Sequence, residues 1–564
     1  MSFQVSPGVQ IKEIDATNTI PAVSTSIGGT AIVADWGPVN EVVLISSEKN
    51  LINKFGKPTD FTASYFFTAS QFLAFGGALK VVRVLSDATT ANGLGSTTTV
   101  VKNTDDYENT IASGLSVGTN GIFVSRYVGE KGNSLKVSVC PADETIFDTW
   151  EYKALFDSAP TTSTFANTNA ITLDELHIVV TDEDGLLSGI PGTVLETFEY
   201  VSQLSDAKTP DGTNNYYKEV IASKSNYIYW SGHDLGLTDA GTASTGISGA
   251  MVVGVAVIVA SLSGGQADTT VTVGAITDAI DMLSNPESED VNLLICPPVT
   301  DDADGVTIAN YVATAAATRK DAIAFLSPPV STTVGNTTPL VSIKSFSDQI
   351  NSTSYGTIDS TAVRIYDRYN DVYRWVPAAG NHAGIYAYTD QVADAWFSGA
   401  GLNRGFLRGV VKLAYNPSQA DRDSLYKARV NPIIAAPGQG IVMYGDKTLL
   451  SKPSAFSRIN VRRLFITLEK AISTAAKYQL FELNDEFTRA IFRNMVEPFL
   501  RNVQGRRGVE DFQVICDATN NTGEVISSNS FVADIYIKPA MSINFITLNF
   551  VAVRSGVNFD EIAG

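Results

Sequence analysis

The hydrophobic pattern changes its period within residues 460–553, and this change restricts what the end of the chain can fold into. Apolar residues first recur at helical spacing in two successive segments, the second of which starts at a capping residue, Asn484. The predicted apolar stripes are Leu464, Leu468, Ile472, Ala476 and Leu480, then Phe487, Ile491, Met495, Phe499 and Val503. After Gly508 the period becomes two, which predicts strands over 512–516, 531–537 and 542–553. Two helices followed by strands indicate a compact α+β domain.

Both ends of the chain contain strand-like segments that have no hairpin partner beside them. Residues 542–553 form a long β-favouring run near the C-terminus, and residues 5–14 alternate apolar and polar side chains near the N-terminus. An unpaired strand exposes main-chain donors and acceptors, and it therefore promotes association with another chain. The two ends suggest a protein that forms a polymer.

Between the ends, strands alternate with helices in two separate parts of the chain. Residues 27–86 and 250–450 have the rhythm of an α/β core with a mixed sheet and helices. Residues 87–249 are rich in Thr, Asn and Gly with short alternating strands, which is typical of a β-rich insertion into that core. Residues 1–26 are assigned to an N-terminal arm and linker, and residues 451–564 to the C-terminal α+β assembly domain. Within the core, residues 361–450 are interpreted as loop-rich, with aromatic side chains in a seam between domains.

The balance of charges argues against nucleic acid as the main partner. The chain has 59 acidic and 40 basic residues and a net charge of −19. Its three cysteines are far apart in sequence, so neither a disulfide framework nor a Cys-x-x-Cys metal site is predicted. These isolated cysteines favour synthesis in a reducing cytoplasm. The first residues lack the basic and apolar regions of a signal peptide, so secretion by that route is not expected. The longest apolar run, 250–262, is shorter than the roughly 20 residues of a membrane helix and predicts a buried strand.

The motifs that could carry chemistry are all incomplete. Residues 440–448 approach a phosphate-binding loop, but Asp446 is inserted before Lys447, so a structural turn is favoured. The acidic turns 182–185 and 301–305 lack the spacing of a calcium loop, which favours solvated turns and leaves a weak calcium site open. The histidines His177, His233 and His382 are far apart in sequence. The sequence therefore predicts no catalytic site, no cofactor and no metal.

One part of this acidic chain is basic. Between Arg458 and Glu510 there are ten basic and six acidic residues. An ordinary solvated helix face and a docking surface for an acidic partner explain this excess about equally well.

Several short motifs, in order along the chain, resemble those of the phage contractile-tail sheath protein family. The first part carries Ser-Pro-Gly-Val at 6–9, Glu-Ile-Asp at 13–15, Gly-Pro at 37–38, Phe-Gly at 55–56, Phe-Gly-Gly at 75–77 and Val-Arg-Val at 82–84. Later matches lie at 129–137, 182–196, 262–265 and, as Asn-Val-Arg-Arg-Leu, at 460–464. Val128 and residues 395–398 depart from the family pattern. The likeness extends from one end of the chain to the other.

The resemblance implies a structural protein of a virion with no active site. Its subunits would stack as hexameric rings around a tail tube, and contraction would drive the tube through a bacterial envelope during genome delivery. The implied partners are further copies of the chain, the tail tube protein, and baseplate and tail terminator proteins, in a sheath assembled in the host cytoplasm. Direct contact with nucleic acid and insertion into a membrane are not expected.

The resemblance also implies roles for particular residues. Terminal strands would be donated to sheets of neighbouring subunits, and the residues assigned to this exchange are Val9, Ile11, Ile543, Phe545 and Val551. Because the family places the C-terminal domain next to the tube, Arg501, Arg506 and Arg507 of the basic stretch are expected to face it. The alternatives are a bacteriocin-like particle or other contractile injection machine, an enzyme with an unrecognised site, and a surface adhesin.

Overall fold

The computed structural model describes residues 24–111, 121–231, 241–242, 244, 246–247, 256–299 and 302–544. These residues form two compact units. The large unit comprises Ser24–Asp394 and Gly399–Ile459, and the C-terminal unit comprises Ala395–Ser398 and the described residues from Asn460 onward. The prediction of a mixed α/β chain with several sheets is confirmed. None of the described helices has both the length and the apolar character needed to cross a bilayer.

The large unit starts with elements that contribute to its main sheet. In chain order they are β1 (Gly28–Ile32), β2 (Val42–Ile45), α1 (Glu48–Phe55), α2 (Ala63–Leu73) and β3 (Leu79–Arg83). The residues at the two ends of α1 define its bounds. The Ser47 hydroxyl accepts a hydrogen bond from the Asn50 N–H, and Gly56, with φ of 84°, terminates the helix.

The part of the chain from Thr90 to Ser261 contains nine strands and four short helices among its described residues. Its elements are β4 (Thr90–Asn92), α3 (Thr104–Asp106), β5 (Phe123–Val128), β6 (Leu135–Pro141), α4 (Glu144–Thr149), α5 (Thr164–Thr168), β7 (Glu175–Asp182), β8 (Thr193–Ser202), α6 (Tyr217–Lys224), β9 (Ile228–Trp230), β10 (Gly241–Thr242), β11 (Gly246–Ile247) and β12 (Ile258–Ser261). A π-helical turn over Tyr107–Ile111 continues α3. The four-stranded sheet β12-β6-β7-β8 and the three-stranded sheet β4-β5-β9 share one apolar core.

The prediction of a buried strand over 250–262 is wrong in the described part of that run. Strand β12 pairs with β6 at the edge of the four-stranded sheet. Its side chains alternate between half-buried and exposed, and Val259 is exposed. Apolar content alone does not distinguish a central strand from an edge strand. The residues of the run before 256 lie outside the described part.

The rest of the large unit completes the main sheet. Its elements are α7 (Val273–Asp281), β13 (Leu293–Ile295), α8 (Asp302–Arg319), β14 (Ile323–Leu326), α9 (Pro339–Gln349), β15 (Gly356–Asp359), β16 (Ala362–Asp367), β17 (Val372–Pro377), α10 (Ala379–Val392), β18 (Val410–Leu413), α11 (Gln419–Lys427), β19 (Val430–Asn431), β20 (Ile433–Ala436) and β21 (Gly440–Met443). The main sheet has the order β19-β15-β14-β13-β1-β3-β2, in which only β2 pairs antiparallel. Single 3-10 turns lie at Glu130–Ser134, Lys153–Leu155, Val330–Thr332, Ala455–Ser457 and Lys477–Gln479.

The interpretation of 361–450 as loop-rich is wrong. Strands β16, β17 and β18 form an antiparallel sheet, and α10 is one of the most buried helices of the unit. Helix α10 packs against α2 at very close range. A Cβ atom placed on Gly380 would lie 2.0 Å from the carbonyl oxygen of Thr68 in α2. A larger residue at this position would force the two helices apart.

The C-terminal unit has the predicted order of two helices followed by strands. Its elements are α12 (Ile459–Ala476), α13 (Glu486–Gly505), β22 (Val509–Ile515), α14 (Gly523–Ser527) and β23 (Asp534–Pro539). Helix α13 is capped by Asp485, whose side chain accepts from the Thr488 N–H, and not by Asn484. Of the third predicted strand, only residues 542–544 are described, and they are not in a strand.

The predicted apolar stripe of α13 is partly wrong. Met495 and Val503 are buried as expected, but Phe487 is 72% exposed. The buried side chains of the helix are Arg489, Phe492, Met495, Val496, Leu500 and Val503. In α12, Leu464 and Leu468 are buried, whereas Leu480 lies beyond the end of the helix and is exposed.

Candidate assembly surfaces

The strands of the C-terminal unit form a two-stranded antiparallel sheet that covers the helices with one face. The register places Phe512 opposite Ile537 and Val514 opposite Ile535. These four side chains pack against the apolar core that α12 and α13 supply. The alternate residues, Gln513 and Tyr536 among them, point to the other face and are exposed. The period of two therefore separates an apolar face from a polar one.

Both edges of this sheet are open within the part of the chain that the structure describes. The sheet there consists of β22 and β23 alone. Each edge strand presents a row of main-chain N–H and C=O groups that a further strand could use. A two-stranded sheet is also marginal by itself, because few hydrogen bonds and contacts hold it. This geometry is suited to accepting additional strands.

The described residues that follow β23, 540–544, are not in a strand. Ile543 lies among them and is 81% exposed. Among the residues assigned to strand exchange, Ile543 is the only one within the described residues; Val9, Ile11, Phe545 and Val551 lie outside them.

The three arginines expected to face the tube all lie at the C-terminal end of α13. Arg501 is exposed and is 3.5 Å from Glu497 one helical turn earlier. The Arg506 guanidinium lies 5.3 Å from the ring centre of Trp396, whose indole N–H donates to the Arg506 carbonyl at 3.1 Å. Arg507 follows the helix with φ of 65° and is exposed. The three cations therefore lie close together in sequence at one exposed helix end.

Other arginines of the basic stretch are not on the surface. Arg462 and Arg463 are each 4% exposed and Arg489 is 8% exposed. The Arg489 guanidinium donates to the Asn484 side-chain oxygen at 3.0 Å, which fixes the start of α13. The sequence overstates the positive charge available to a partner, because it counts these buried side chains with the exposed ones.

The loop that approaches a phosphate-binding motif is a structural turn. The Asp446 carboxylate accepts from the Arg458 guanidinium at 2.9 Å, and the Lys447 ammonium donates to the Tyr426 carbonyl at 2.7 Å. Lys447 also lies 4.1 Å from the ring centre of Tyr426. Both charged groups therefore have partners within the protein, and the loop does not have the arrangement of a phosphate-binding loop.

The first acidic turn is built around Asp182, which is fully buried. Its carboxylate accepts from the N–H groups of Gly185, Leu187 and Ser188 at 3.1, 3.0 and 2.6 Å. The hydroxyls of Ser188 and Ser134 donate to it as well. Because protein donors occupy its oxygens, this residue holds the turn together. The second acidic turn is described from residue 302, where it begins α8.

Two histidines, His177 and His382, lie within the described residues. Both are buried, and they contact different groups. The His177 ring contacts the Ser158 carbonyl at 2.9 Å and accepts from the Tyr200 N–H at 3.2 Å. His382 packs edge-on against Phe325, and burial lowers its pKa to about 3. His233 lies outside the described residues. Among the residues described, no three His, Cys, Asp or Glu side chains are grouped as a metal site.

Sequence patterns also miss a buried carboxyl at the end of β15. Asp359 is fully buried, and burial raises its pKa to about 7, although a hydrogen bond from the Ser327 hydroxyl opposes the shift. The Thr361 N–H also donates to it, at 3.4 Å. Its position at the end of a central parallel strand is apparent only once the sheet order is known.

Comparison with known proteins identifies the family. The family model of the phage tail sheath C-terminal domain matches residues 451–552, that of the phage tail sheath central domain matches 269–449, and that of the tail sheath protein Gp18 domain III N-terminal region matches 25–84. The tail sheath protein of Vibrio phage KVP40 is 35% identical over 680 aligned positions, which cover 99% of this chain and 100% of that one. The tail sheath protein of Enterobacteria phage T4 is 32% identical, with 99% of each chain covered.

A solved structure shares the fold over nearly the same length. The helical sheath of the anti-feeding prophage in its contracted state superposes with a TM-score of 0.52 and 13% identity, covering 98% of this chain and 99% of that one. The sequence identity to the phage relatives extends from end to end, through both units and the inserted region. The chain therefore belongs to the phage tail sheath protein family, and it is a structural subunit of a contractile tail sheath and not an enzyme.

Proposed function

We propose that this subunit joins its neighbours by adding their terminal strands to the sheet β22–β23. The observation that carries the proposal is that the described residues leave both edges of that sheet open. Hexameric rings of subunits linked in this way stack around a tail tube, and contraction drives the tube through the bacterial envelope. The sheath contacts the baseplate and tail terminator proteins at its ends, and it is assembled in the host cytoplasm.

The side-chain pattern of the N-terminal segment fits the accepting sheet. Val9 and Ile11 alternate with Gln10 and Lys12. A strand with this pattern places its apolar side chains over the helices, beside Phe512 or Ile537, and its polar side chains on the wet face. A segment of this length forms about four main-chain hydrogen bonds, each contributing about 1 kcal/mol.

The C-terminal segment has the same capacity. Ile543 is 81% exposed beyond β23, and Phe545 and Val551 continue the β-favouring run. Donation of this segment to a neighbouring sheet removes the exposed apolar surface of Ile543 from water. Exchange at both ends connects each subunit to more than one neighbour, so the lattice stays linked while subunits move during contraction.

Deletion of residues 1–15 tests strand exchange. We expect the truncated subunit to keep the melting temperature of the full-length monomer but to form no long tubes in negative-stain microscopy. Ile11→Pro should act in the same direction, because proline removes a main-chain donor, and Gln10→Ala is the matched control that keeps it. A truncated monomer that is destabilised and still forms tubes would mean that the strand pairs within its own subunit.

The basic end of α13 is proposed as the surface that faces the tube. The support is its exposure and the concentration of Arg501, Arg506 and Arg507 there, in a chain of net charge −19. Exposed charges are screened over roughly 10 Å at 0.1 M salt, so attachment to the tube should weaken as salt is raised.

Charge reversal separates tube attachment from sheath assembly. We expect Arg501→Glu, Arg506→Glu and Arg507→Glu together to reduce co-sedimentation with tubes while self-assembly continues. The control reverses Lys153, Lys208 and Lys224, which are exposed in the large unit and change the net charge equally. Equal loss of attachment and of self-assembly would place the three arginines at a contact between subunits.

A further inference from the structure

The turn between α12 and α13 exposes an unusual number of large apolar side chains. Within ten residues, five of them are each between 62% and 105% exposed, and we refer to this group as the apolar tip: Tyr478, Leu480, Phe481, Leu483 and Phe487. The three aromatic residues alone expose roughly 500 Å², taking about 200 Å² for a fully exposed residue of this kind. A patch of this size on a soluble chain usually marks a contact surface.

The conformation of the tip supports a role in contact. Phe481 has φ of 70°, in the left-handed region that a bulky side chain adopts only at an energetic cost. The apolar core of the unit is made by other residues, such as Phe492 and Leu500, so the tip is not needed to close that core. Strain combined with full exposure is typical of positions that a binding partner uses.

The charges around the tip are mainly acidic. Glu482, Asp485 and Glu486 are exposed within or beside it, and Lys477 is the one basic residue in 476–488. A partner surface that combines apolar side chains with positive charge therefore complements the tip.

The large unit presents such a surface on the outer face of β17-β16-β18. The register places Arg364 opposite Trp375 and Lys412, and Tyr366 opposite Tyr373, so the five side chains share one face. We call this face the aromatic platform. Tyr373 is 54% and Tyr366 46% exposed, and the Arg364 guanidinium lies 4.8 Å from the Tyr373 ring centre.

The platform combines aromatic and cationic groups. Lys412 is exposed, while the neighbouring acid, Asp371, accepts a hydrogen bond from the Tyr366 hydroxyl at 2.6 Å. Tyrosine, tryptophan and arginine are the residue types that contribute most to protein interfaces.

We propose that the apolar tip of one copy docks on the aromatic platform of a second copy. The tip supplies Phe481 and its acidic rim, and the platform supplies aromatic rings with Arg364 and Lys412. Because the two surfaces differ, the contact is heterologous and continues from copy to copy, as an open helical polymer requires. This inference rests on the proposed function, in which the subunits form a polymer. It adds a second kind of contact between subunits beside the exchanged strands.

Reciprocal charge reversal tests the pairing. Glu482→Lys with Glu486→Lys, and separately Arg364→Glu with Lys412→Glu, should each raise the critical concentration for tube formation at least about tenfold, because like charges then face each other. The variant with all four changes should return to within about threefold of the wild-type value, since the pairs are restored with reversed sign. Glu151→Lys with Glu287→Lys is the net-charge control for the first pair, and Lys153→Glu with Lys208→Glu is the control for the second, because all four residues are exposed elsewhere.

Phe481→Ser provides an independent measurement. The side chain is fully exposed, so we expect an unchanged monomer melting temperature together with weakened assembly. The inference would be overturned if either pair of reversals left the critical concentration at the wild-type value. It would also be overturned if the variant with all four changes assembled no better than either pair. The proposal of strand exchange would stand in both cases. If Phe481→Ser instead loses only co-sedimentation with the tube protein, that protein is the occupant and the inference is wrong. Failure of the wild-type chain to form tubes would refute the proposed function itself.

Discussion

Replacement of Asp182 by asparagine should destabilise the turn 182–188 by about 2–4 kcal/mol. Asparagine keeps one oxygen but presents an NH₂ group where the other carboxylate oxygen accepts from the N–H groups of Leu187 and Ser188. Each of these donors then loses its acceptor in a buried place, which costs about 1–2 kcal/mol per donor. The hydroxyl of Ser188 can rotate to accept instead of donating, so it adds little to the loss.

The sign of the pH dependence follows from the same contacts. Burial alone raises the pKa of Asp182, but the hydrogen bonds from Ser134, Ser188 and Leu187 outweigh burial and leave the pKa below its ordinary value. A carboxyl of this kind contributes its full stability above the unfolded pKa of about 3.9, and the contribution is lost as the pH falls through the lower folded value. The stabilities of the wild type and of Asp182→Asn should therefore be compared at neutral pH, where the Asp182 carboxylate makes its full contribution.

Amide hydrogen exchange at Leu187 and Ser188, together with calorimetry, measures this effect. Exchange at both amides should accelerate by at least about thirtyfold in Asp182→Asn, since about 1.4 kcal/mol corresponds to a factor of ten when exchange reports the opening equilibrium. Asp184→Asn is the matched control, because Asp184 is exposed in the same turn. Equal protection in the two variants would refute the reasoning. A calcium-dependent rise in the melting temperature of the wild type that is absent in Asp182→Asn would instead show that the turn binds calcium.

Two further substitutions test the packing and the buried histidine. Phe492→Ala should cost about 3–5 kcal/mol in urea unfolding of the C-terminal unit, because Phe492 lies in its core, whereas Phe487→Ala should stay within about 0.5 kcal/mol; similar losses would return Phe487 to the core stripe. His382 stays neutral in the folded chain because burial lowers its pKa to about 3, so between pH 6.5 and 5 only the unfolded chain takes up the proton. The free energy of unfolding should therefore fall by about 2 kcal/mol over this range in the wild type, and His382→Gln should remove that part of the slope; an unchanged slope would show that other groups cause it.

Local signals in the sequence determined the elements whose ends carry their own chemistry. Helix α1 is delimited by its neighbouring residues, because Ser47 caps its first turn and Gly56 stops it. The change from helical to alternating spacing likewise placed α12, α13 and the sheet that follows them. The scattered motifs were enough to indicate the sheath family, which the end-to-end identity to phage sheath proteins confirms.

Only the tertiary structure decided which side of an element is buried. Helix α13 has apolar residues on more than one side, and the sheet β22–β23 selects Phe492 and Leu500 for the core while Phe487 stays in water. In the same way, the sequence counts Arg462 among the surface charges, but the residue is buried. The sequence predicts that strand β12 is buried, but this strand lies at a sheet edge. In each case burial depends on what packs against the residue from a distant part of the chain, and spacing along the sequence contains no information about that partner.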